Sequence, residues 1–288
     1  MEFETMYTQY RTMLMSIAYH MLGSLADAED IVQEVFLEVQ QQDTNRIENM
    51  KAYLAKAVTN RCINYTKSAR KRREVYVGPW LPEPIVALSQ EDPMELVMKD
   101  EVISYALLVA LEQLNAVERA IFILREALDY SYREIAEILH KTEENCRKIH
   151  SRIKKKLHRD GAVSSSRSNS EEDLVNLFID AAKTGNFNEL IHRLTDDAAM
   201  VTDGGGKVRG ALRPIIGRER ILALLEGIAP RGYFAGDFLP VYVNGQRGVL
   251  LVTDGRPAKE IGFARDEKQD RITRIFVVAN PDKLAHLQ

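Results

Sequence analysis

Residues 131–157, SYREIAEILHKTEENCRKIHSRIKKKL, read as two short helices joined by a tight turn, the second of them basic. Ser131 followed by Glu134 is a capping box: the Ser hydroxyl accepts from a backbone N–H and the Glu carboxylate reaches back. Ile135, Ile138 and Leu139 share one face of the first helix. His140 and Lys141 break it, and Thr142 is a fresh N-cap. In the second helix Cys146, Ile149, Ile153 and Leu157 recur as one apolar stripe. Arg147, Lys148, Ser151, Arg152, Lys154 and Lys155 then fall on its flanks and opposite face. A helix-turn-helix of this kind can lay its second helix in a DNA major groove. A plain helical hairpin with a solvated basic face shares the pattern, so the rest of the chain must decide.

The chain has 288 residues and a formal net charge of −3. That length predicts two or three domains, and the charge excludes a polybasic protein, so affinity for nucleic acid must come from local clusters. Two such clusters stand out. Arg61, Lys67, Arg70, Lys71, Arg72 and Arg73 follow Asn60 with no acid among them. Lys141 to Arg159 holds eight Lys or Arg against Glu143 and Glu144. Between the clusters lie Glu83, Glu91, Asp92, Glu95 and Asp100. Two basic patches with an acidic spacer suggest two contacts on one extended polyanion, or else two solvated helix faces. Cys62 and Cys146 both sit in apolar helical patterns, so neither a disulfide nor a zinc site is expected. No apolar run approaches a membrane span and no signal peptide is seen, so a soluble cytoplasmic protein without metal or cofactor is expected.

Residues 1–75 read as helical throughout. Tyr7, Tyr10, Leu14, Ile17, Ala18, Met21 and Leu22 keep a helical period that Gly23 ends, and Ser24 or Asp27 opens the next helix. There Ile31, Val35 and Val39 form a stripe with Phe36 beside it. A third helix, from about Met50 to Ala69, turns Leu54, Val58 and Cys62 inward. GPWLPEP then brings three prolines in six residues and the single tryptophan, predicting an extended linker over 76–95. Helices resume over 96–160 and end in the helix-turn-helix. SSSRSNS, within 161–170, is a second linker. Residues 171–288 open with helices and become strand-rich, with Asn244-Gly245 and Asp254-Gly255 as turn signals. Helices followed by an antiparallel meander give an α+β domain after two all-α ones.

With these pieces in order, residues 1–160 resemble the extracytoplasmic-function sigma factors of bacterial RNA polymerase. ADAEDIVQEVFLE, 26–38, is similar to the family's helix that docks on the clamp coiled coil of the polymerase core. The resemblance implies that Asp30, Gln33, Glu34 and Phe36 face the polymerase; carboxylates and an exposed aromatic suit a basic, partly apolar tip. KAYLAKAVTNRCINYTKSARKRR, 51–73, is similar to the segment that opens and reads the minus-ten element. It implies DNA contacts by Asn60 and by Asn64, which stands where many members have Asp. Phosphate contacts would come from Lys67, Arg70, Lys71, Arg72 and Arg73. A pocket for an unstacked base would lie near Thr44 to Asn49. LEQLNAVERAIFILREALDYSYREIAEIL leads into the segment similar to the minus-35 reader, which in the family also meets the polymerase flap. There Glu143, Glu144, Asn145, Arg147, Lys148, Ser151 and Arg152 are the expected contacts to promoter DNA. Arg147 and Arg152 can bind guanine bidentately, and Lys148 suits a phosphate.

GPWLPEP, DGGGK at 203–207 and NPDKL at 280–284 resemble the subgroup with a fused C-terminal SnoaL-like domain, a cone of curved sheet closed by helices. Some members of that fold are cyclases or isomerases, and Asp203, His192, Asp237 and Tyr242 are the residues available here; no spacing pairs them as acid and base. DGGGK lacks the strand–loop–helix setting and following Lys-Ser/Thr of a phosphate loop. A regulatory contact is expected instead, joining Trp80, Leu81 and Pro82 to Asp203, Gly204, Gly205, Gly206 and Lys207 and to Asn280, Pro281, Asp282 and Lys283. Trp80 is its natural anchor. The contact would set the spacing of the two DNA-binding domains, and an unidentified small-molecule or protein ligand would shift a two-state balance. A DNA-binding regulator that never meets polymerase is the competing reading, and residues 26–38 argue against it.

Overall fold

A computed structural model describes residues 3–42, 47–73, 76–88, 103–159, 170–266 and 270–287, except the side chains of 68–73, 158, 159, 170 and 171. The loop residues Thr44 to Arg46, most of the acidic spacer and the serine-rich linker at 161–169 lie outside the described residues. The chain divides into two compact units. The first holds the helices of residues 3–73 and 108–159; the second holds 76–88, 104–107 and 170–287. Helix Tyr105–Leu111 therefore belongs to both, divided after Leu107.

In the first unit, helices Phe3–Leu22, Leu25–Gln40 and Met50–Arg73 pack together. Gly23 takes a positive φ of 68° and its N–H returns to Tyr19, so the chain turns at once into the next helix, capped by Ser24 rather than Asp27. Helix Ala116–Glu126 starts with a capping box of Asn115 and Glu118, and helix Tyr132–Leu139 with that of Ser131 and Glu134. His140 adopts the left-handed conformation between the latter helix and Glu143–Arg159. Buried Arg119 ties the unit together. Its guanidinium donates to the carbonyl of Met21 at 2.8 Å, at the end of the first helix, and to Glu112 at 2.5 Å. An Arg in that place satisfies an orphan helix carbonyl and finds its counter-ion alongside.

The second unit is a seven-stranded sheet, in the order β1-β4-β5-β6-β7-β2-β3. Its strands are β1 Val86–Ala87, β2 Leu194–Asp203, β3 Ile215–Ile216, β4 Asp237–Val243, β5 Gln246–Thr253, β6 Arg256–Asp266 and β7 Arg271–Val278. Asn244-Gly245 and Asp254-Gly255 make the β4–β5 and β5–β6 hairpins with positive φ at both residues. The expected meander holds for β4 to β7. It does not extend to β2, which runs parallel to β7, because β3 and helix Arg218–Ile228 carry the chain away before the meander returns. Register shifts in the β2–β7, β5–β6 and β6–β7 pairings curve the sheet around Phe178, Phe187, Leu190, Ile221, Leu225 and Phe234.

Residues 76–88 were expected to be linker; Tyr76 to Ala87 instead forms part of this sheet domain. Val86 and Ala87 pair with Val243 and Tyr242. Ile85 donates its N–H to Asn244 Oδ1 at 3.1 Å, and its carbonyl accepts from Asn244 N–H at 2.9 Å. Prolines at 79, 82 and 84 suit this role, since an extended segment held by its neighbours loses little further freedom on docking.

Candidate functional site

Three constellations carry the chemistry. The first lies on helix Leu25–Gln40, where Asp30, Gln33 and Glu34 are exposed along one face and Leu37 continues it with 57% of its surface open. Phe36 is not on that face. It is 2% exposed and packs on Phe3 and Tyr7, with ring centroids 6.2 and 4.8 Å away. Its expected role as an exposed polymerase contact is therefore corrected: position 36 falls on the inner stripe of Val32, Val35 and Val39. Leu37, which the sequence reading passed over, is the apolar side chain on the outer face. Glu34 also receives Arg61 at 2.7 Å, and Glu38 binds the same guanidinium, which raises the Arg61 pKa chiefly through the Glu38 hydrogen bond.

The second constellation is basic. Half-buried Asn60 and exposed Asn64 and Lys67 share one face of helix Met50–Arg73. The side chains of Arg70, Lys71, Arg72 and Arg73 lie outside the described residues. On helix Glu143–Arg159, Glu143, Glu144, Asn145, Arg147, Lys148, Ser151 and Arg152 are all exposed. Arg147 pairs with Glu143 one turn back and Lys148 with Glu144 at 2.6 Å, so two of the cations are held along the helix. Arg152 reaches Glu118 at 2.5 Å and Lys154 reaches Glu126 at 3.2 Å. Arg147, Lys148, Ser151, Arg152, Lys155 and Lys156 line a shallow open groove. Beneath the helix is a residue the sequence reading missed. His150 is buried, its Nδ1 hydrogen-bonded to Tyr132 Oη at 2.9 Å. Glu126 Oε1 lies 3.0 Å from His150 Nε2, within ion-pair range but off line for a hydrogen bond. The signal was present: Cys146, His150, Ile153 and Leu157 also keep a helical period, and all four are buried.

The third constellation gathers the residues around Asp203. The carboxylate is wholly buried and receives four donors. Tyr76 O–H (2.6 Å) and Gly205 N–H (3.0 Å) meet Oδ1; Leu81 N–H (2.8 Å) and Lys283 Nζ (2.7 Å) meet Oδ2. Lys283 also donates to the Leu81 carbonyl. Its ammonium lies 4.0 Å from the Trp80 ring centroid and 5.1 Å from that of Tyr76, in cation–π range of both. Burial, then the bond to Asp203, pushes the Tyr76 phenol well above its ordinary pKa, so it stays a donor. Asn280 caps Pro281–Leu284 by accepting from Asp282 N–H, and donates to Tyr76 Oη at 2.8 Å. A side chain at Gly204 would strike the Val208 carbonyl, and one at Gly205 the Asn280 amide. Gly206 lies against Val77, and Lys207 pairs with Asp282 at 2.7 Å on the surface. Pro82 is held by its carbonyl, which accepts from Tyr105 O–H at 2.8 Å.

The residues considered for catalysis are spread over β2, the short helix Asn188–His192 and the two ends of β4. Asp203, at the end of β2, is bound to Lys283; His192 and Asp237 are exposed; Tyr242 lies under Arg247, 4.4 Å away. Among the described residues no group of three His, Cys, Asp or Glu could hold a metal, and no helix is long and apolar enough to cross a membrane. One carboxyl stands apart. Glu260 is 0% exposed on β6, neither oxygen has a partner among the described residues, and burial raises its pKa well above the ordinary value. A Cβ on Gly262 would lie 3.1 Å from Glu260 Oε1 and 3.8 Å from the Tyr105 ring, so the carboxyl and Tyr105 border the same spot.

Residues 6–72 match the family model Sigma-70 region 2, and residues 104–157 match Sigma-70, region 4. The chain is 32% identical to the ECF RNA polymerase sigma factor SigJ of Mycobacterium tuberculosis, over 98% of this chain and 92% of that protein. It is 26% identical to the probable ECF RNA polymerase sigma factor SigI of the same species, over 97% and 93% of the two. The crystal structure of the M. tuberculosis extracytoplasmic function sigma factor SigJ matches with a TM-score of 0.76 at 28% identity, over 97% of each chain. A helix-turn-helix with a basic outer face, joined to a second helical DNA-binding region, defines a transcription factor of the sigma type. The chain belongs to the extracytoplasmic-function sigma factors of RNA polymerase, and its second unit has the SnoaL-like fold.

Proposed function

We propose that this sigma factor, which directs transcription initiation, is modulated in cis by its SnoaL-like unit acting on the connector between its two promoter-reading regions. One observation carries the reading: the described part of the connector is tied to that unit, and the start of region 4 is tied to it in turn. Tyr76 and Leu81 bond Asp203, Val86 and Ala87 extend the sheet, and Tyr105, where region 4 begins, bonds Pro82. A connector so tied fixes the spacing of region 2, over 1–75, and region 4, over 96–160. Release would let that spacing change, and a small-molecule or protein ligand of the SnoaL-like unit would bias the balance. The unit acts as a regulator rather than a catalyst.

On the polymerase side, Asp30, Gln33, Glu34 and Leu37 dock on the clamp coiled coil, and region 4 meets the flap. On the promoter side, Asn60, Asn64, Lys67 and the Arg/Lys run to Arg73 engage the minus-ten element. Glu143 to Arg152 engage the minus-35 element.

The test adds purified chain to bacterial core polymerase with fragmented genomic DNA and maps transcript 5′ ends for wild type, Asp203→Asn and Trp80→Ala. The expected result is a common set of start sites whose output changes in both variants while core affinity does not. Unchanged output in both variants would sink the modulation; no binding to core would sink the polymerase contacts as well.

A further inference from the structure

We infer that Tyr132 and His150 are positioning residues that hold Arg147 for base reading, so that part of the minus-35 preference is set from beneath the recognition helix. The inference rests on the assignment of helix Glu143–Arg159 as the minus-35 reader and deepens it.

The observations form a chain of contacts. The Arg147 guanidinium carbon lies 4.5 Å from the centroid of the Tyr132 ring, and that of Arg125 lies 5.1 Å from the same centroid. An electron-rich ring attracts cations to its faces, so Tyr132 is a platform on which Arg147 rests. The ring is itself held. Its hydroxyl bonds His150 Nδ1, and the two rings meet edge to face with centroids 5.8 Å apart. His150 packs in turn on Phe122, ring centroids 6.0 Å apart, and its Nε2 faces the Glu126 carboxylate at 3.0 Å. A carboxylate at Nε2 favours the ring proton there, which leaves Nδ1 to accept from the Tyr132 hydroxyl.

Two restraints thus act on Arg147: Glu143 along the helix and Tyr132 from below. Glu143 is itself exposed and close to where a base edge would lie, so DNA can displace or recruit it. Tyr132 is half-buried with its hydroxyl engaged, and it stays in place. A guanidinium stacked on a fixed ring keeps its planar fork in one orientation, which bidentate guanine recognition requires. Among the described residues, no other exposed cation on this helix rests on an aromatic ring.

The test uses holoenzyme reconstituted from the full chain and core polymerase, selecting DNA from a pool randomised across the upstream promoter element. Arg147→Ala should flatten the base preference at one or two positions. Tyr132→Leu should flatten it at the same positions by about fivefold, leaving the other positions and the salt dependence unchanged. The double variant should be no flatter than Arg147→Ala alone. His150→Ala should follow Tyr132→Leu, whereas His150→Asn, which returns an acceptor near the place of Nδ1, should recover much of the preference. Additive effects in the double variant, or an unchanged profile in Tyr132→Leu, would overturn the positioning role while leaving the reader assignment intact. An unchanged profile in Arg147→Ala would remove the reader assignment and the inference together. Thermal unfolding of each variant separates these results from misfolding, because a misfolded region 4 would lose preference at every upstream position.

Discussion

Glu260 and His150 are two buried titratable groups whose environments pull in opposite directions. Burial raises the Glu260 pKa and lowers that of His150; at His150 Glu126 opposes the shift, while Lys154 and Arg125 reinforce it. The raised carboxyl contributes stability that is complete below the ordinary carboxylate range, about 4.3, and lost as pH rises through its folded value. The depressed imidazole is the mirror case. Its contribution is complete above about 6.5 and lost as pH falls toward its folded value. Glu260→Gln should therefore unfold in urea with a midpoint less sensitive to alkaline pH than wild type, compared at about pH 5 and about pH 8. Parallel pH profiles would mean that Glu260 finds a partner when ionised. Asp203 contrasts with both. It is as deeply buried as Glu260, yet four donors surround it, one of them the Lys283 ammonium.

At the scale of elements, helix Leu25–Gln40 separates its buried face from its exposed face between adjacent residues. Phe36 faces Tyr7 and Phe3, and Leu37 faces outward. Phe36→Ala should lower stability by about 3 kcal/mol through the cavity it leaves. Leu37→Ala should barely change stability but weaken core polymerase binding, as read by competition with a labelled sigma factor. The reverse pattern would exchange their roles. The sequence made this helix, its caps and its apolar stripe legible, because helical period and capping are local. The facing of Phe36 was not legible, since position 36 borders both stripes and only the packing of Phe3 and Tyr7 decides. His150 was missed for a related reason: a polar residue on an apolar period reads as surface until Tyr132 and Glu126 are seen to meet it. The β2–β7 pairing was equally hidden. Strand propensity marks where strands lie, while their direction depends on the route between them.

At the scale of the molecule, chemistry far apart in sequence converges on one carboxylate. Tyr76, Leu81, Gly205 and Lys283 span more than 200 positions and all meet Asp203. The sequence indicated that GPWLPEP, DGGGK and NPDKL belong together through resemblance alone, since no local rule pairs segments so distant. Their chemistry explains the composition. Close backbone approach needs Gly204 and Gly205, and a buried carboxylate needs an ammonium, which Lys283 supplies.

The pairing of Val86 and Ala87 with β4 has one more consequence. β4 is the last long strand on its side of the sheet, and Pro240 gives its middle no N–H to offer a neighbour. Its far end, Tyr242 and Val243, has no such guard and is covered by the two residues of the connector. Whenever the connector lifts away, two rungs of unpaired backbone become open to any strand nearby, including one from another copy. Asp203→Asn protein should therefore self-associate with rising concentration in analytical ultracentrifugation, and adding a charge at the rim, as in Tyr242→Lys, should suppress it. If the connector is controlled in cis as proposed, that control would also serve as colloidal protection, because the connector plugs the surface that its release would bare.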